Sequence, residues 1–530
     1  MGVIGKTLPT AAVAAALAGG MLSATPAHAV VGGTTATTSD WMVQIHVTKP
    51  DGSVRICSGA AVAARKVVTS AGCVAGADSV RVASGTTSLL AETEMDPWSE
   101  DSKASAVSRT WTAPGYDATT GRDDIAVLTT VDLLHTFTYV RLAASDDTAA
   151  NTPATVGTFS GWGSTSGASQ APSTNLRKAS LAVRPDAECA EAAGSAWVPG
   201  RMFCAGLPAT GQDAGSVTPC TGDEGGPLIS DNRRLIGVYS RATGSGCTAD
   251  GSNAVFTKVS ALMGELGARV NDTSLSGDGL ADVFAMTPNG RRYEYDSTGS
   301  GLKSRSQWPT LAKPYSRYRQ VDLNGDGYQD YVYRTATGDL YQSYDTVVYE
   351  GWGNWIRDRY EMKIGNGWNS MQSITVPGDV SGDGTPDIVA VDGNGVQWVY
   401  PFSTGGRRGL TGRWKTGTGW AGYTLFGSGD YTGDGKPDLL ARDTAGRLWI
   451  YKGTGRGDAP WQARVLVGRG GWNYTAYVAS GDTTGDGKAD FYTRDSAGTL
   501  WLYKGTGNAS APFQNRVRIG GGWNIYSLLS

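Results

Sequence analysis

Apolar positions in this chain fall in short runs that alternate with polar ones and are broken by glycine. Leu448–Tyr451 and Leu500–Tyr503, each leading into Tyr-Lys-Gly-Thr-Gly, are typical. A period of two with glycine-rich breaks is the pattern of strands and tight turns. Two stretches depart from it. From Ser260 the spacing becomes helical, with Leu262, Leu266 and Val270 on one face and Ser260 placed as the cap. Near the start, Lys6 precedes an apolar run from Ala11 to Leu22 and then Ala27-His28-Ala29, a small-x-small cleavage site. Residues 1–29 therefore read as an export signal whose apolar part is short for a membrane span. No later apolar run approaches the roughly 18 residues of a membrane helix, so none is expected.

Composition strengthens the all-β reading. Among 530 residues there are 75 Gly, 17 Trp and 23 Tyr, which suits many short strands, and the length predicts two or three domains. A net charge of −3 with 18% charged residues describes a folded surface with no basic excess for nucleic acid. All six cysteines lie between Cys57 and Cys247, dividing the chain into a half suited to disulfides and a cysteine-free half. With the export signal, this predicts a secreted, extracellular protein.

The cysteine-free half repeats about every 50 residues. Its marker, Asp-x-(Asn/Ser/Thr)-Gly-Asp-Gly-x-x-Asp, occurs at Asp322–Asp330, Asp379–Asp387, Asp430–Asp438 and Asp482–Asp490, with a partial copy at Ser274–Asp282. Oxygens at positions one, three, five and nine, a carbonyl at seven and a turn glycine at six suit calcium, as in an EF-hand loop without its helices. The candidate ligands are Asp322, Asn324, Asp326, Tyr328 and Asp330; Asp379, Ser381, Asp383, Thr385 and Asp387; Asp430, Thr432, Asp434, Lys436 and Asp438; and Asp482, Thr484, Asp486, Lys488 and Asp490, making about four sites. Each repeat closes on a tryptophan, at Trp308, Trp368, Trp420, Trp472 and Trp523, the last four in Gly-Trp pairs. Strands at this period predict propeller blades. The pattern resembles the FG-GAP/VCBS-type repeats of integrin α-subunits, and the resemblance implies calcium in the loop joining the first two strands of a blade. Because the opening repeat lacks a first strand and Asn524–Leu529 follows the last tryptophan, a five-bladed ring closed by the C-terminus is expected.

The first half carries further motifs in order: Val30-Val31-Gly32-Gly33, CSGAAVAARKVVTSAGCV at Cys57–Val74, DDIAVL at Asp123–Leu128, Gly161-Trp162-Gly163, CTGDEGGPL at Cys220–Leu228 and NAVFTKVS at Asn253–Ser260. Together they resemble the trypsin/chymotrypsin-like serine proteases over Val30 to Val270. The resemblance implies a double β-barrel with disulfides Cys57–Cys73, Cys189–Cys204 and Cys220–Cys247. It also implies an oxyanion hole from the amides of Gly222 and Glu224, and, once the signal is cut, an ion pair between the Val30 α-ammonium and Asp223. The domains expected are 1–29 signal, 30–270 protease-like and 271–530 propeller.

The chemistry departs from that family. Gly72 stands at the general-base histidine and Glu224 at the nucleophilic serine, leaving Asp124 alone of the triad. Losing nucleophile or base removes on the order of 10⁶ in kcat. His46 and His135 read as strand or surface residues rather than replacement bases. Asp124 must find other donors, Ser240 being the candidate, and water is expected over Gly72. Thr218, at the base of the specificity pocket, does not support a Lys/Arg preference, and Ser240-Arg241-Ala242 replaces the strand that pairs with substrate. Glu224 is expected to turn toward the vacant amides or to solvent; a pair with Arg241 would plug the groove. The leading reading is a secreted pseudoprotease joined to a calcium-binding propeller, acting by binding an extracellular protein, a protease inhibitor or a surface glycan. A hydrolase with an atypical or partner-dependent site, and an adhesive propeller with the first domain as spacer, stay open.

Overall fold

Strands Met42–Thr48, Val54–Ala63, Lys66–Thr69, Ala126–Thr130, Ala104–Thr112 and Ser79–Ser84 close into an antiparallel barrel. The computed structural model describes residues 1–2 and 30–530 apart from 100–101, 137, 146, 148–150, 273, 311–314, 324–328, 350–354 and 404–408, with side chains also outside the description at 345–359 and 403. The stretch expected to be an export signal, beyond its first two residues, and Asn324, Asp326 and Tyr328 therefore lie outside the described residues. Alternation explains the barrel's filling: Val43, Ile45 and Val47 on one strand meet Val67, Val82 and Leu128 from its neighbours. A second sheet runs Thr34–Thr35, Arg177–Ala182, Val156–Gly161, Pro227–Ser230, Arg234–Ala242, Ala254–Lys258 and Met202–Ala205, and a bridge between Val183 and Ala205 brings its ends together. Phe159, Phe203, Tyr239 and Phe256 fill it, with ring centroids 5.5 to 5.9 Å apart. Burying these large rings, with Leu181, Leu228 and Ile236 around them, drives the packing of this sheet.

Three disulfides, Cys57–Cys73, Cys189–Cys204 and Cys220–Cys247, pair as the family resemblance implies. Each closed loop contributes a few kcal/mol, about 2–4 by chain-entropy reasoning. Ser260 does not cap a helix. It lies inside a 3₁₀ turn, Val259–Leu262, its hydroxyl bonded to Asn151 at 3.3 Å, and the α-helix Met263–Val270 starts only after that turn.

The second half forms five sheets around a ring. Their innermost strands are Arg317–Val321, Met371–Gly378, Thr424–Phe426, Ala476–Gly481 and the C-terminal Leu528–Leu529, each packed beside the next. The ring closes as the repeat count predicts: Leu528 and Leu529 pair with Met286 and Ala285, and Phe284 and Ser530 exchange backbone hydrogen bonds. Gln320 of the next blade donates to the carbonyls of Asp282 and Ser530 at 3.1 and 2.9 Å, tying the closure to a neighbour.

After helix Met263–Val270 the chain passes Asp272, whose buried carboxylate pairs with Lys66 and, at 2.6 Å, with Arg109. Burial presses the Lys66 ammonium down to about 8 despite that counter-charge. The tips of the repeat loops then meet the first domain. Arg109 donates to the carbonyl of Asp278 (2.5 Å), Arg141 to Gly382 (3.3 Å), Arg269 to Gly485 (2.6 Å) and Ser145 to Asp434. Helix residue Gly264 sits so close that a Cβ there would lie 2.5 Å from the Gly433 carbonyl.

Because the C-terminal strand completes a blade, deleting residues 524–530 is expected to abolish the propeller's calorimetric transition while leaving that of the barrels. A propeller transition unchanged by the deletion refutes the closure.

Candidate functional site

The cleft residues sit at strand ends from both barrels. Gly72 lies in the one-turn helix Ala71–Val74 directly after Lys66–Thr69, Asp124 just before Ala126–Thr130, and Glu224 in the turn before Pro227–Ser230. The Cys57–Cys73 and Cys220–Cys247 bridges brace the first and last of these segments.

Asp223 anchors the turn. Fully buried, it accepts the amides of Cys220 (2.9 Å) and Gly163 (2.8 Å). This explains the glycines of Gly161-Trp162-Gly163: a Cβ at Gly161 or Gly163 would lie 2.0 or 2.3 Å from atoms of Asp223. Val30 is buried against the same core as Phe159 and Tyr239, yet with residues still attached ahead of it its backbone has φ 59°, a region β-branched residues avoid. Among the described residues no cation pairs with Asp223, and burial pushes its carboxyl up to about 7.

Glu224 folds back on its own loop. One carboxylate oxygen accepts the Gly222 amide at 2.7 Å, and the other lies 3.5 Å from the Arg55 guanidinium. Of the two orientations expected for it, the structure has the first, and the donor that would polarise a substrate carbonyl is bonded to the protein's own anion. Arg55, which also donates to the Gly72 carbonyl at 3.0 Å, had no motif to mark it. At Gly72 the expectation of water is corrected: the Tyr116 hydroxyl is there, 2.8 Å from where a Cβ would stand, with the Asp124 oxygens at 3.5 and 3.6 Å. Asp124 accepts the Gly72 amide (2.7 Å) and, as anticipated, the Ser240 hydroxyl (2.6 Å). Its burial nonetheless raises the carboxyl above its ordinary range, the hydrogen bonds offsetting only part of the desolvation. His46 pairs with Glu92, and His135 is exposed.

On the substrate side, Thr218 is buried and its backbone pairs with Val31, while Ala242 packs beside the Cys220–Cys247 bridge. Arg241 does not meet Glu224. It donates instead to the carbonyls of Thr120 (2.8 Å) and Ala196 (3.2 Å), strapping two loops together where an open strand would receive substrate.

The repeat loops share one internal geometry. Position-one Asp379, Asp430 and Asp482 each accept amides from the glycines at positions four and six, at 2.5 to 2.7 Å. Position nine staples the turn: Asp387 accepts the Ser381 amide, Asp438 those of Tyr431 and Thr432, and Asp490 those of Thr483 and Thr484. In the Asp322–Asp330 copy Asp330 accepts the Leu323 amide, and in the partial copy Asp282 accepts that of Ser276. Oxygens of Asp430, Asp434 and Asp438 lie within 4.8 Å of one another, as do those of Asp282, Glu294 and Asp296, the latter group unmarked by the motif. Burial, with neighbouring carboxylates adding to it, pushes Asp387 up to about 8 and Asp490 to about 7. Clustered hard oxygens whose mutual repulsion a divalent cation would relieve are the donor set calcium prefers. Ser381, Thr385, Thr432 and Thr484 bond within their loops, and the position-seven amides of Lys436 and Lys488 donate to the carboxylates of Asp434 and Asp486.

Two barrels that bring Gly72, Asp124 and Glu224 to one cleft, the Asp223 turn and three bridges define a chymotrypsin-type serine protease domain. The chain belongs to the trypsin family, whose profile matches residues 30–264, and residues 379–441 and 430–493 match the FG-GAP-like repeat. It is 34% identical over 244 residues to a trypsin of Saccharopolyspora erythraea, covering 46% of this chain and 98% of that one. Trypsin 5G1 of Aedes aegypti is 32% identical, covering 40% and 74%, and a chymotrypsin of Phaedon cochleariae 31% identical, covering 39% and 69%.

Asp223 makes stability pH-dependent before processing. With its folded-state carboxyl near 7 against an ordinary 3.8, the folded uncut chain holds a proton the unfolded chain has lost. Its contribution is therefore full below about pH 4 and declines as pH rises through 7. Thermal melts of the uncut chain should show this decline, and Asp223→Asn should flatten it. In protein cut before Val30, an adjacent α-ammonium should reverse the slope; identical slopes in the two forms would refute the pair.

Proposed function

We propose that this is a secreted, non-catalytic member of the trypsin family that acts by binding, with a propeller stabilised by calcium in its repeat loops. The observation that carries the reading is the Gly222 amide bonded to the Glu224 carboxylate. A trypsin lacking nucleophile or base keeps roughly 10³–10⁴ over water through its oxyanion hole and binding. Here that hole is occupied by an anion of the chain itself, Arg55 steadies the anion, and Arg241, on the strand that would receive substrate, is bonded to the Thr120 and Ala196 carbonyls. The cysteine bridges and the apolar leader ending at Ala29 support export to an oxidising compartment. The ligand class is an extracellular protein or surface glycan.

Restoring the two missing groups, Gly72→His with Glu224→Ser, tests the reading on a broad peptide library. Because Tyr116 stands where the imidazole would begin and Arg241 crosses the groove, cleavage is expected to return only weakly, rising when Arg241→Gly is added. The parent should take no label from a serine-reactive phosphonate; stoichiometric labelling would overturn the non-catalytic reading.

Calcium is expected to raise the propeller's melting temperature. Asp430→Asn and Asp434→Asn together should lose part of that gain, whereas Asp51→Asn, on an exposed turn of the first domain, should leave it intact. A melt indifferent to calcium and chelator would refute the loop assignment.

A further inference from the structure

Four junctions between neighbouring blades carry the same set of side chains. The tryptophan closing one repeat lies against a tyrosine of the next: Trp368 with Tyr400, Trp420 with Tyr451, Trp472 with Tyr503 and Trp523 with Tyr295, at centroid distances of 4.8, 4.8, 4.9 and 4.6 Å. Beside each pair an arginine caps an aromatic ring, Arg413 over Trp398, Arg464 over Trp449, Arg516 over Trp501 and Arg305 over Tyr293, at 4.0 to 4.3 Å.

Three of these junctions are plugged. A second tyrosine follows the tryptophan by two or three residues and accepts a hydrogen bond from the arginine: Tyr423 from Arg464 (3.0 Å), Tyr474 from Arg516 and Tyr526 from Arg305 (2.7 Å). Tyr474 and Tyr526 also bond to the hydroxyls of Tyr503 and Tyr295. At the fourth junction Trp368 is followed by Asn369-Ser370-Met371, with no tyrosine. There a cavity of about 470 Å³ opens, within the range of small-ligand sites, walled by Trp368, Met371, Tyr400 and Arg413. Among the described residues Arg413 hydrogen-bonds only to the Tyr400 hydroxyl, at 3.4 Å.

The three plugged junctions show what shape the open one would accept: a six-membered ring beside the Trp–Tyr pair, with an oxygen directed at the guanidinium. The described lining contains no acidic residue, so an anionic oxygen is favoured over a neutral one through a charge-assisted bond. A pyranose ring has an apolar face for the aromatic walls and, as a uronic acid, the carboxylate. We propose that the Trp368–Tyr400 junction binds a hexuronic acid residue of an acidic glycan. This rests on the reading of the chain as a binding protein and gives its propeller a ligand class.

The test uses the full chain in calcium, with D-glucuronate and D-galacturonate beside D-glucose and D-galactose, followed by saturation-transfer NMR and titration into the millimolar range. At least one uronate should bind about tenfold or more tightly than its neutral counterpart. Met371→Tyr, which copies the plug of the other junctions, should abolish binding without lowering the melting temperature. Arg413→Gln should bring acid and neutral sugars within about twofold of each other. Tyr423→Met should open a second site and raise the stoichiometry from one toward two. No binding of either uronate, or binding that survives Met371→Tyr, overturns the proposal. Equal binding of neutral sugars overturns the acidic assignment. Neither result bears on Gly72 and Glu224, whose reading is decided separately by the phosphonate.

Discussion

The buried carboxylate of Asp223 is the constraint on which the first domain's cleft depends. Its two amide bonds, to Cys220 and Gly163, hold the nucleophile turn against the start of the second barrel, and two glycines exist to let it in. None of this is chemistry. It is the scaffold that a serine protease needs before its serine can act, and it persists whole in a chain whose catalytic positions have changed. The Glu224 side chain is then placed by that same turn so that the nearest available donor is the amide of Gly222. A carboxylate standing at the nucleophile's place finds a backbone partner two residues away, and the site satisfies itself. Asp124 follows the same rule, accepting from Ser240 and Gly72 in place of an imidazole.

In the propeller the recurring constraint is also a carboxylate capping backbone amides. Position one collects the amides of the loop's glycines and position nine those of its first turn, so each loop is a small anion-centred fold before any cation is considered. The same loops are the surface on which the first domain rests. The contacts from Arg109, Arg141, Ser145 and Arg269 all reach positions four or five of a loop, and Gly264 packs on a position-four carbonyl. Whatever reshapes a loop tip is therefore felt at the domain boundary, and by reciprocity docking biases the loops. Arg269 makes the fourth loop distinct, since it lies 3.2 Å from the position-one carboxylate of Asp482 as well.

What was legible in the sequence follows from the range of the interactions. Motifs fixed by a few neighbouring residues, such as the Asp223 turn, the loop glycines and the Trp-closed repeats, appear in the structure in register. Counting repeats even anticipates that the C-terminus completes a blade, because a ring leaves an odd strand no other place. The partners that decide what the site does were not legible. Arg55 and Glu224, or Arg241 and the carbonyls of Thr120 and Ala196, are brought together only by the packing of two barrels, and neither arginine stands in a motif for its role. Tyr116 was missed for the same reason: its hydroxyl matters only because Gly72 lacks a side chain. Ser260 shows the reverse error, a plausible local cap displaced when an extra 3₁₀ turn was inserted before the helix.

Repetition supplies information that a single site lacks. A lone Trp368–Tyr400 pair beside a cavity would be indistinguishable from an imperfectly filled core, since buried aromatic pairs are ordinary packing. Three sister junctions remove that ambiguity by showing the filled state of the same geometry, with the arginine and tryptophan unchanged and only the second tyrosine added. The void at the fourth is thus a specific subtraction, one phenol ring and its hydroxyl, and not general looseness. Methionine at position 371 carries nothing to accept from Arg413, so among the described residues the guanidinium has an aromatic ring beneath it and a hydroxyl at the edge of bonding distance. An arginine held in place by stacking but short of an acceptor is preorganised for an anion, since little side-chain freedom remains to be lost on binding.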